Sequence, residues 1–270
     1  MNFLISGAAS GIGKAAAEYI VAKGHTVYAI DLTAAKEREG LHSFVADITD
    51  EAALIKVRDS LLEKGIKLDV IANIAGVHMM ASLVESDYCR MKKLVDVNLE
   101  GTMLVNRVFH SCLGEGGRIL IVTSEVASFD PMPFNGLYNM SKTALESYAQ
   151  ALRQELNLIG QKVITIQPGA VETPLSGESV KATKTLADTT KLYKKQASRF
   201  SGLAAKFMGT PIAPEAVAKL IYKASAASRP ALRYRKHRNL GLVLLNVLPK
   251  RCQCAVIKLL LNMPIIFTDN

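Results

Sequence analysis

Four side chains in the middle of the sequence have the types and spacing to move a proton beside a reacting oxygen: Asn98, Ser124, Tyr138 and Lys142. Tyr138 and Lys142 lie four apart in GLYNMSKTALESYAQALRQEL, residues 136–156, which has the periodicity of an amphipathic helix. Residues at that spacing share one helix face. A free phenol titrates near ~10 and is a poor base at neutral pH. A neighbouring ammonium favours the phenolate and is expected to lower that value. Tuned in this way, Tyr138 can give a proton to an alkoxide or take one from an alcohol. A lone Tyr-x-x-x-Lys is common by chance and describes an ordinary surface helix equally well, so its meaning depends on its company.

A second group has the chemistry of a phosphate cradle. SGAASGIG, residues 6–13, places Gly7, Gly11 and Gly13 directly after a strand pattern and at the opening of a helix. Glycine lets the backbone approach a pyrophosphate, and a helix N-terminus offers it free N–H groups. Such a turn can also be purely structural; its place between strand and helix favours the phosphate. Asp31 ends the next strand pattern, where a carboxylate can accept from both adenosine ribose hydroxyls. It would repel a 2′-phosphate, and no Arg or Lys directly precedes Gly11 or follows Asp31. NAD is therefore expected over NADP. Asp31 could instead cap a helix. Asp47, at the end of FVAD, reads as an adenine contact or as the cap of the helix after it.

These residues need elements to position them. Short apolar runs at 2–7, 26–31, 43–47, 68–76, 117–124 and 162–169 read as strands. Helical patterns at 13–24, 51–64, 86–113 and 136–156 separate them. Continuously apolar strands alternating with helices imply a parallel sheet covered on both faces, hence an α/β, doubly wound, Rossmann-type fold in one domain spanning residues 1–270. Ligands of such sheets bind at the carboxyl ends of the strands. The residues named above gather at that edge.

Taken together the motifs resemble the short-chain dehydrogenase/reductase family, in its single-domain branch. SGAASGIG stands for the family's TGxxxGxG, NIAG (73–76) for NNAG, VNLEG for the helix asparagine, and Thr123–Ser124 for the strand-end serine. YNMSK stands for YxxxK and PGAVETP (168–174) for PGxxxT, all in family order. Ser6 replaces the usual threonine but keeps the hydroxyl, and Ile74 replaces the second asparagine of NNAG.

The resemblance implies roles position by position. Tyr138 would be the general acid/base, Lys142 would lower its pKa and bind the nicotinamide ribose, and Ser124 would hold the substrate oxygen. Asn98 would hold a water in a proton relay from Lys142. The implied cofactor-binding set is Gly7, Ser10, Gly11, Ile12, Gly13, Asp31, Asp47, Ile48, Asn73, Ala75, Gly76, Tyr138, Lys142, Pro168, Gly169, Val171 and Thr173, with Asn73 expected to stabilise the sheet. Family members are usually dimers or tetramers, assembled through the helices around Asn98 and Tyr138.

Residues 175–211 carry no strand pattern and hold Lys181, Lys184, Lys191, Lys194, Lys195, Arg199 and Lys206 against Glu178 and Asp188. They read as a pair of solvated helices or as a lid that attracts an anionic, largely apolar substrate. Phe129, Met132 and Phe134 are expected to form an apolar wall beside Tyr138.

The net charge of +9 is concentrated at the C-terminus. Between Ala216 and Thr268 there are ten basic residues and no acid. The extension 229–270, which resembles that of retinol- and hydroxysteroid-type members, reads as a helical cap on the pocket or a dimer contact; the alternative is an amphipathic surface on an anionic membrane. Its apolar runs are too short or too interrupted to span a bilayer. No aromatic platform or recognition helix accompanies the charge, so nucleic acid is not an expected partner.

Cys89, Cys112, Cys252 and Cys254 are too few and scattered for a disulfide framework and too isolated for a metal site. They read as small apolar fillers in a reducing cytoplasm. MNFLISG is a strand from the start and does not read as a signal peptide. The expected activity is NAD-dependent interconversion of a secondary alcohol and a ketone on a bulky lipophilic molecule such as a hydroxysteroid, bile-acid-like sterol or retinoid. A 3-oxoacyl reductase is the enzymatic alternative. A redox sensor that binds cofactor without turnover is the other, and it would not need the Ser–Tyr–Lys set.

Overall fold

Asn2–Ser6, almost wholly apolar, forms β1 and runs through the glycine turn into α1 (Gly11–Ala22). Gly24 closes α1 at φ +79°, donating to the Val21 carbonyl, as the expected C-terminal stop requires. β2 (Thr26–Asp31), β3 (Leu41–Val45), α2 (Glu51–Glu63) and β4 (Leu68–Asn73) follow. Next come α3 (Tyr88–Val95), a π-helical turn (Asp96–Gly101), α4 (Thr102–Phe109) and β5 (Leu113–Val122). α5 (Gly136–Asn157) and β6 (Lys162–Pro168) lead to the paired α6 (Pro174–Thr189) and α7 (Lys194–Phe207). The chain ends in α8 (Pro214–Ala226), β7 (Arg233–Lys236), α9 (Leu240–Val247) and α10 (Lys250–Asn262). The structure, a computed structural model, describes residues 1–207 and 210–263. The last seven residues of the expected extension, Pro264 among them, and the side chains of Glu178 and Lys206 in the expected lid lie outside the described residues.

The seven strands form one parallel sheet in the order β3-β2-β1-β4-β5-β6-β7. Alternate strand residues feed two cores. Phe3 and Ile5 pack with the alanine face of α1 and with Val217 and Ile221 of α8. Leu4 packs on the opposite side with α2, α4 and α5, among them Leu54, Phe109 and Leu145. Both faces are therefore covered, as the apolar strands require. The strand order reverses between β1 and β4, and a crevice opens at the carboxyl ends of the strands there.

Three expectations change. The single helix over 86–113 is two helices joined by the π turn that carries Asn98, and its last residue begins β5. RYRK, which has no apolar alternation, forms the edge strand β7. Cys112 is buried, but Cys89, Cys252 and Cys254 are exposed and fill no core.

Candidate active site

The glycine turn is shaped by backbone contact. Gly7 has φ +76°, and a Cβ there would lie 2.7 Å from the Ala75 backbone. A Cβ on Gly13 would lie 1.8 Å from the Gly7 carbonyl oxygen. The turns after β1 and β4 thus pack back to back, and the Ser6 hydroxyl ties them by accepting from the Ile74 and Ala75 N–H groups at 3.3 and 3.5 Å.

Ser10 stands at the N-cap of α1 but makes no side-chain cap bond, and the first turn has no acidic residue. The positive end of that helix is open to an anion. Asp31 caps no helix; it accepts from Ala9 N–H of the glycine turn at 2.9 Å and from Leu32 N–H at 2.7 Å. Asp47 holds the Thr49 backbone and hydroxyl at 2.9 and 2.8 Å, while the cap of α2 is Asp50. Ile48 is buried beside Gly101 of the π turn. An uncapped helix N-terminus beside a strand-end carboxylate fits the pyrophosphate and ribose of a dinucleotide.

β5 delivers Ser124 to the same edge, where it caps a single 3-10 turn (Glu125–Ser128). Ser124 accepts from Val126 N–H at 3.4 Å and stands close enough to the Tyr138 hydroxyl to pull its pKa down. Lys142 Nζ donates to the Val122 carbonyl at 3.2 Å and lies 5.8 Å from the centre of the Tyr138 ring. Asn98, fully buried, accepts from Val77 N–H at 2.8 Å and donates to the Val77 carbonyl and the Ser141 hydroxyl at 2.9 and 3.1 Å. It therefore ties the loop after β4 to α5, and Gly76 lies against both Asn98 Oδ1 and Lys142 Nζ. The π turn places that amide inward, a common use of such turns. Asn73 donates to Asn106 Oδ1 at 2.7 Å and to the Leu120 carbonyl at 3.3 Å, so it braces β4 against its neighbours. Pro168 ends β6, Gly169 follows it, and both line the cavity described below together with Val171. Thr173 lines it too and caps α6 in a reciprocal pair with Ser176.

The electrostatics differ from expectation. Burial pushes Tyr138 up to about 12, against the Ser124 hydroxyl that pulls it down. Burial pushes Lys142 down to about 8. The ammonium is aimed at a strand carbonyl, so loss of water outweighs its effect on the phenol. A buried lysine with a lowered pKa is a stability liability. Between about pH 8 and 10.5 the unfolded chain holds a proton that folded Lys142 has released, so folding gains stability as pH rises through that window. Lys142→Met is expected to stabilise the fold at pH 7 by about 3 kcal/mol and to lose that advantage by pH 10.5. Paired denaturant titrations across this range check it; a constant difference would refute it.

Two residues of the site carried no sequence signal. Glu146 extends the stripe of Tyr138 and Lys142 by one more step of four. Its carboxylate accepts from Thr123 Oγ1 at 2.6 Å, Gln167 Nε2 at 2.9 Å, Thr165 Oγ1 at 3.3 Å and Arg233 at 2.8 Å. α5 is thereby pinned to β5, β6 and β7, which aims Tyr138 at Ser124. Glu125, buried beside Ser124, accepts from Asn239 N–H at 2.6 Å. Burial pushes its carboxyl up, against the pull of that N–H, His237 and Arg238.

Ser124, Tyr138 and Lys142 line a cavity of about 1070 Å³, together with Ile12 of α1, Gly169, Val171 and Thr173. Its remaining walls come largely from α6, α7, α9 and α10 and are mainly apolar. The lid and the extension thus cover one space. Asp130 N–H donates to Asn246 Oδ1 at 2.7 Å and its carboxylate pairs with Lys250, so α9 and α10 are fastened to the segment between Ser124 and Tyr138. Of the expected apolar wall, Met132 lines the cavity. Phe134 packs edge-on against Tyr193 and Phe200, and Phe129 instead lies under Arg238.

The family model described as short chain dehydrogenase matches residues 2–184. An uncharacterised oxidoreductase of Staphylococcus saprophyticus is 28% identical over 188 residues, covering 65% of this chain and 80% of that protein. The NADPH-dependent 1-acyldihydroxyacetone phosphate reductase of Schizosaccharomyces pombe is 33% identical over 143 residues, 52% of this chain and 48% of its own length. A short chain dehydrogenase from Burkholderia cenocepacia, solved in complex with NADP, superposes with a TM-score of 0.73 at 19% identity, covering 97% of this chain and 98% of that one.

Proposed function

The chain belongs to the short-chain dehydrogenase family, an oxidoreductase family, and from that premise we propose that it interconverts a secondary alcohol and a ketone on a bulky lipophilic substrate, with NAD as the preferred cofactor. The observation that carries this reading is the junction of three groups on one apolar cavity: Ser124, Tyr138 and Lys142 share its wall with Ile12 at the open end of α1.

A bound nicotinamide supplies or takes the hydride. For reduction, the Ser124 hydroxyl donates to the carbonyl oxygen and positions it. The Tyr138 phenol gives its proton as that oxygen gains charge. Lys142, protonated below about pH 8, stabilises the phenolate left behind. Asn98 keeps the loop after β4 and α5 in register. Oxidation reverses these steps.

The walls set the substrate class. A cavity this large and apolar favours a sterol, retinoid or long acyl chain over a small polar alcohol. Lys184 lines it from α6, which suits an anionic end on the substrate. The Schizosaccharomyces relative is named for an acylated phosphate ketone, a molecule of that character. Asp31 favours NAD, since its carboxylate would repel a 2′-phosphate.

Absorbance at 340 nm tests the reading, with hydroxysterols offered NAD or NADP and with oxosterols and 3-oxoacyl esters offered NADH or NADPH. Turnover with NAD exceeding that with NADP, and a lower KM for carboxylated substrates than for their neutral analogues, is expected. Turnover confined to small polar alcohols would overturn the substrate class, and indifference to charge the anionic part.

The outer face of α9 supports a partner for such a substrate. Leu240, Leu244 and Val247 form an exposed stripe, of which Leu244 and Val247 also line the cavity, and Lys236, Arg238, Lys250 and Arg251 flank it. Among the described residues no helix is long and apolar enough to cross a membrane. The stripe suits contact with an anionic bilayer surface. Sedimentation with vesicles rich in phosphatidylglycerol is expected to recover the protein, and Leu240→Asp, outside the cavity lining, to reduce recovery several-fold; no recovery at low salt would end the membrane reading.

A further inference from the structure

His78 lies half-buried in the loop after β4, against the reactive tyrosine. Its ring meets the Tyr138 ring at a 60° angle with centroids 4.5 Å apart, and it lines the large cavity. Both nitrogens are engaged by different parts of the fold. Nε2 lies 3.0 Å from Asn135 Oδ1, directly ahead of α5, and Nδ1 lies 2.8 Å from the Ser179 hydroxyl on the lid helix α6. An amide oxygen only accepts, so Nε2 carries the proton. Nδ1 is then a bare lone pair that takes the Ser179 proton.

We propose that His78 is a positioning residue that latches the lid helix α6 against Tyr138 through the hydroxyl of Ser179. The proposal rests on reading the cavity as the substrate site. Ser179 Oγ also lies 2.8 Å from the Leu175 carbonyl, one turn back in its own helix. One hydroxyl proton thus has two acceptors. Bonded to His78, it holds α6 over the ring of Tyr138. Bonded to Leu175, it stays satisfied while α6 moves away, so release leaves no orphaned hydroxyl. Burial and nearby Lys142, against the Asn135 bond that pulls the other way, bring the imidazole down to about 4, which keeps it neutral across the neutral range. The latch therefore answers to whatever enters the cavity and takes the Nδ1 lone pair, such as a substrate hydroxyl.

Trypsin cleavage of the full-length protein after Lys181 and Lys184, both exposed on α6, reads the lid without any substrate. Cleavage after Lys56 of α2 is the internal control for global unfolding. Ser179→Ala and His78→Phe, which keeps an aromatic ring but neither hydrogen bond, are each expected to speed lid cleavage about fivefold at an unchanged Lys56 rate. The double variant should be no faster than His78→Phe alone, because that variant already lacks the one bond Ser179→Ala removes. His78→Gln, which retains a donor and an acceptor, should restore slower cleavage. In turnover, Ser179→Ala should raise KM more than it lowers kcat. Unchanged lid cleavage in Ser179→Ala, or additive effects in the double variant, would overturn the latch. Absence of turnover in the wild type would count against the proposed chemistry while the cleavage rates still decide the latch.

Discussion

Tyr138→Phe is expected to lower kcat/KM for the alcohol by about 10³-fold or more while leaving NADH binding within about twofold. The ring that packs on His78 is retained, so the wall of the cavity keeps its shape. Only the hydroxyl is lost, and with it the sole group of the Ser124–Tyr138–Lys142 set that can both give and take a proton at the substrate oxygen. Lys142 cannot substitute, because its ammonium is directed at the Val122 carbonyl. Kinetics at 340 nm with a parallel NADH fluorescence titration separate the two effects. Activity within tenfold of wild type would mean that another group transfers the proton.

The other large effect is expected at Gly13. A methyl there would sit 1.8 Å from the Gly7 carbonyl oxygen and 2.7 Å from its carbon. These are backbone atoms of a turn already fixed against Ala75, so the start of α1 must shift. Gly13→Ala should cost about 3 kcal/mol, lower Tm by roughly 6–12 °C and weaken NADH binding about 100-fold, since displaced N–H groups no longer converge on a pyrophosphate. Gly202→Ala in α7 is the control: its methyl meets nothing within 4 Å and should be neutral or slightly stabilising. Melting curves with and without NADH check both variants. Equal behaviour would show that the turn tolerates displacement.

Much of this was legible in the sequence because the signals are local. A glycine turn between an apolar run and a helix, and a carboxylate ending the next run, depend on neighbours in the chain, and the structure places them as read. What was not legible depends on distant parts of the fold. The hydrophobic period of residues 86–113 is continuous, so the extra residue of the π turn shows only where Asn98 turns inward to the Val77 backbone. Glu146 looks like any charge on a helix, and its burial is decided by three strands far along the chain. β7 is short, basic and largely exposed, so it lacks the alternation that marks a strand. The expected acidic shift of Tyr138 failed for the same reason: the sequence shows that Lys142 is near but not how far water is excluded around both. α2 starts at Glu51, where the pattern placed it, so its cap is the adjacent Asp50, and Asp47 is left to hold Thr49.

Hydride transfer to the cofactor, dependent on proton removal by Tyr138, is tested most directly by following a label. A lipophilic secondary alcohol deuterated at its carbinol carbon is turned over with NAD, and the reduced cofactor is weighed by mass spectrometry. Expected is one deuterium in the NADH formed by the wild type and about 10³-fold slower formation of reduced cofactor by Tyr138→Phe. NADH formed without the label, or labelled NADH formed equally well by the variant, would contradict it.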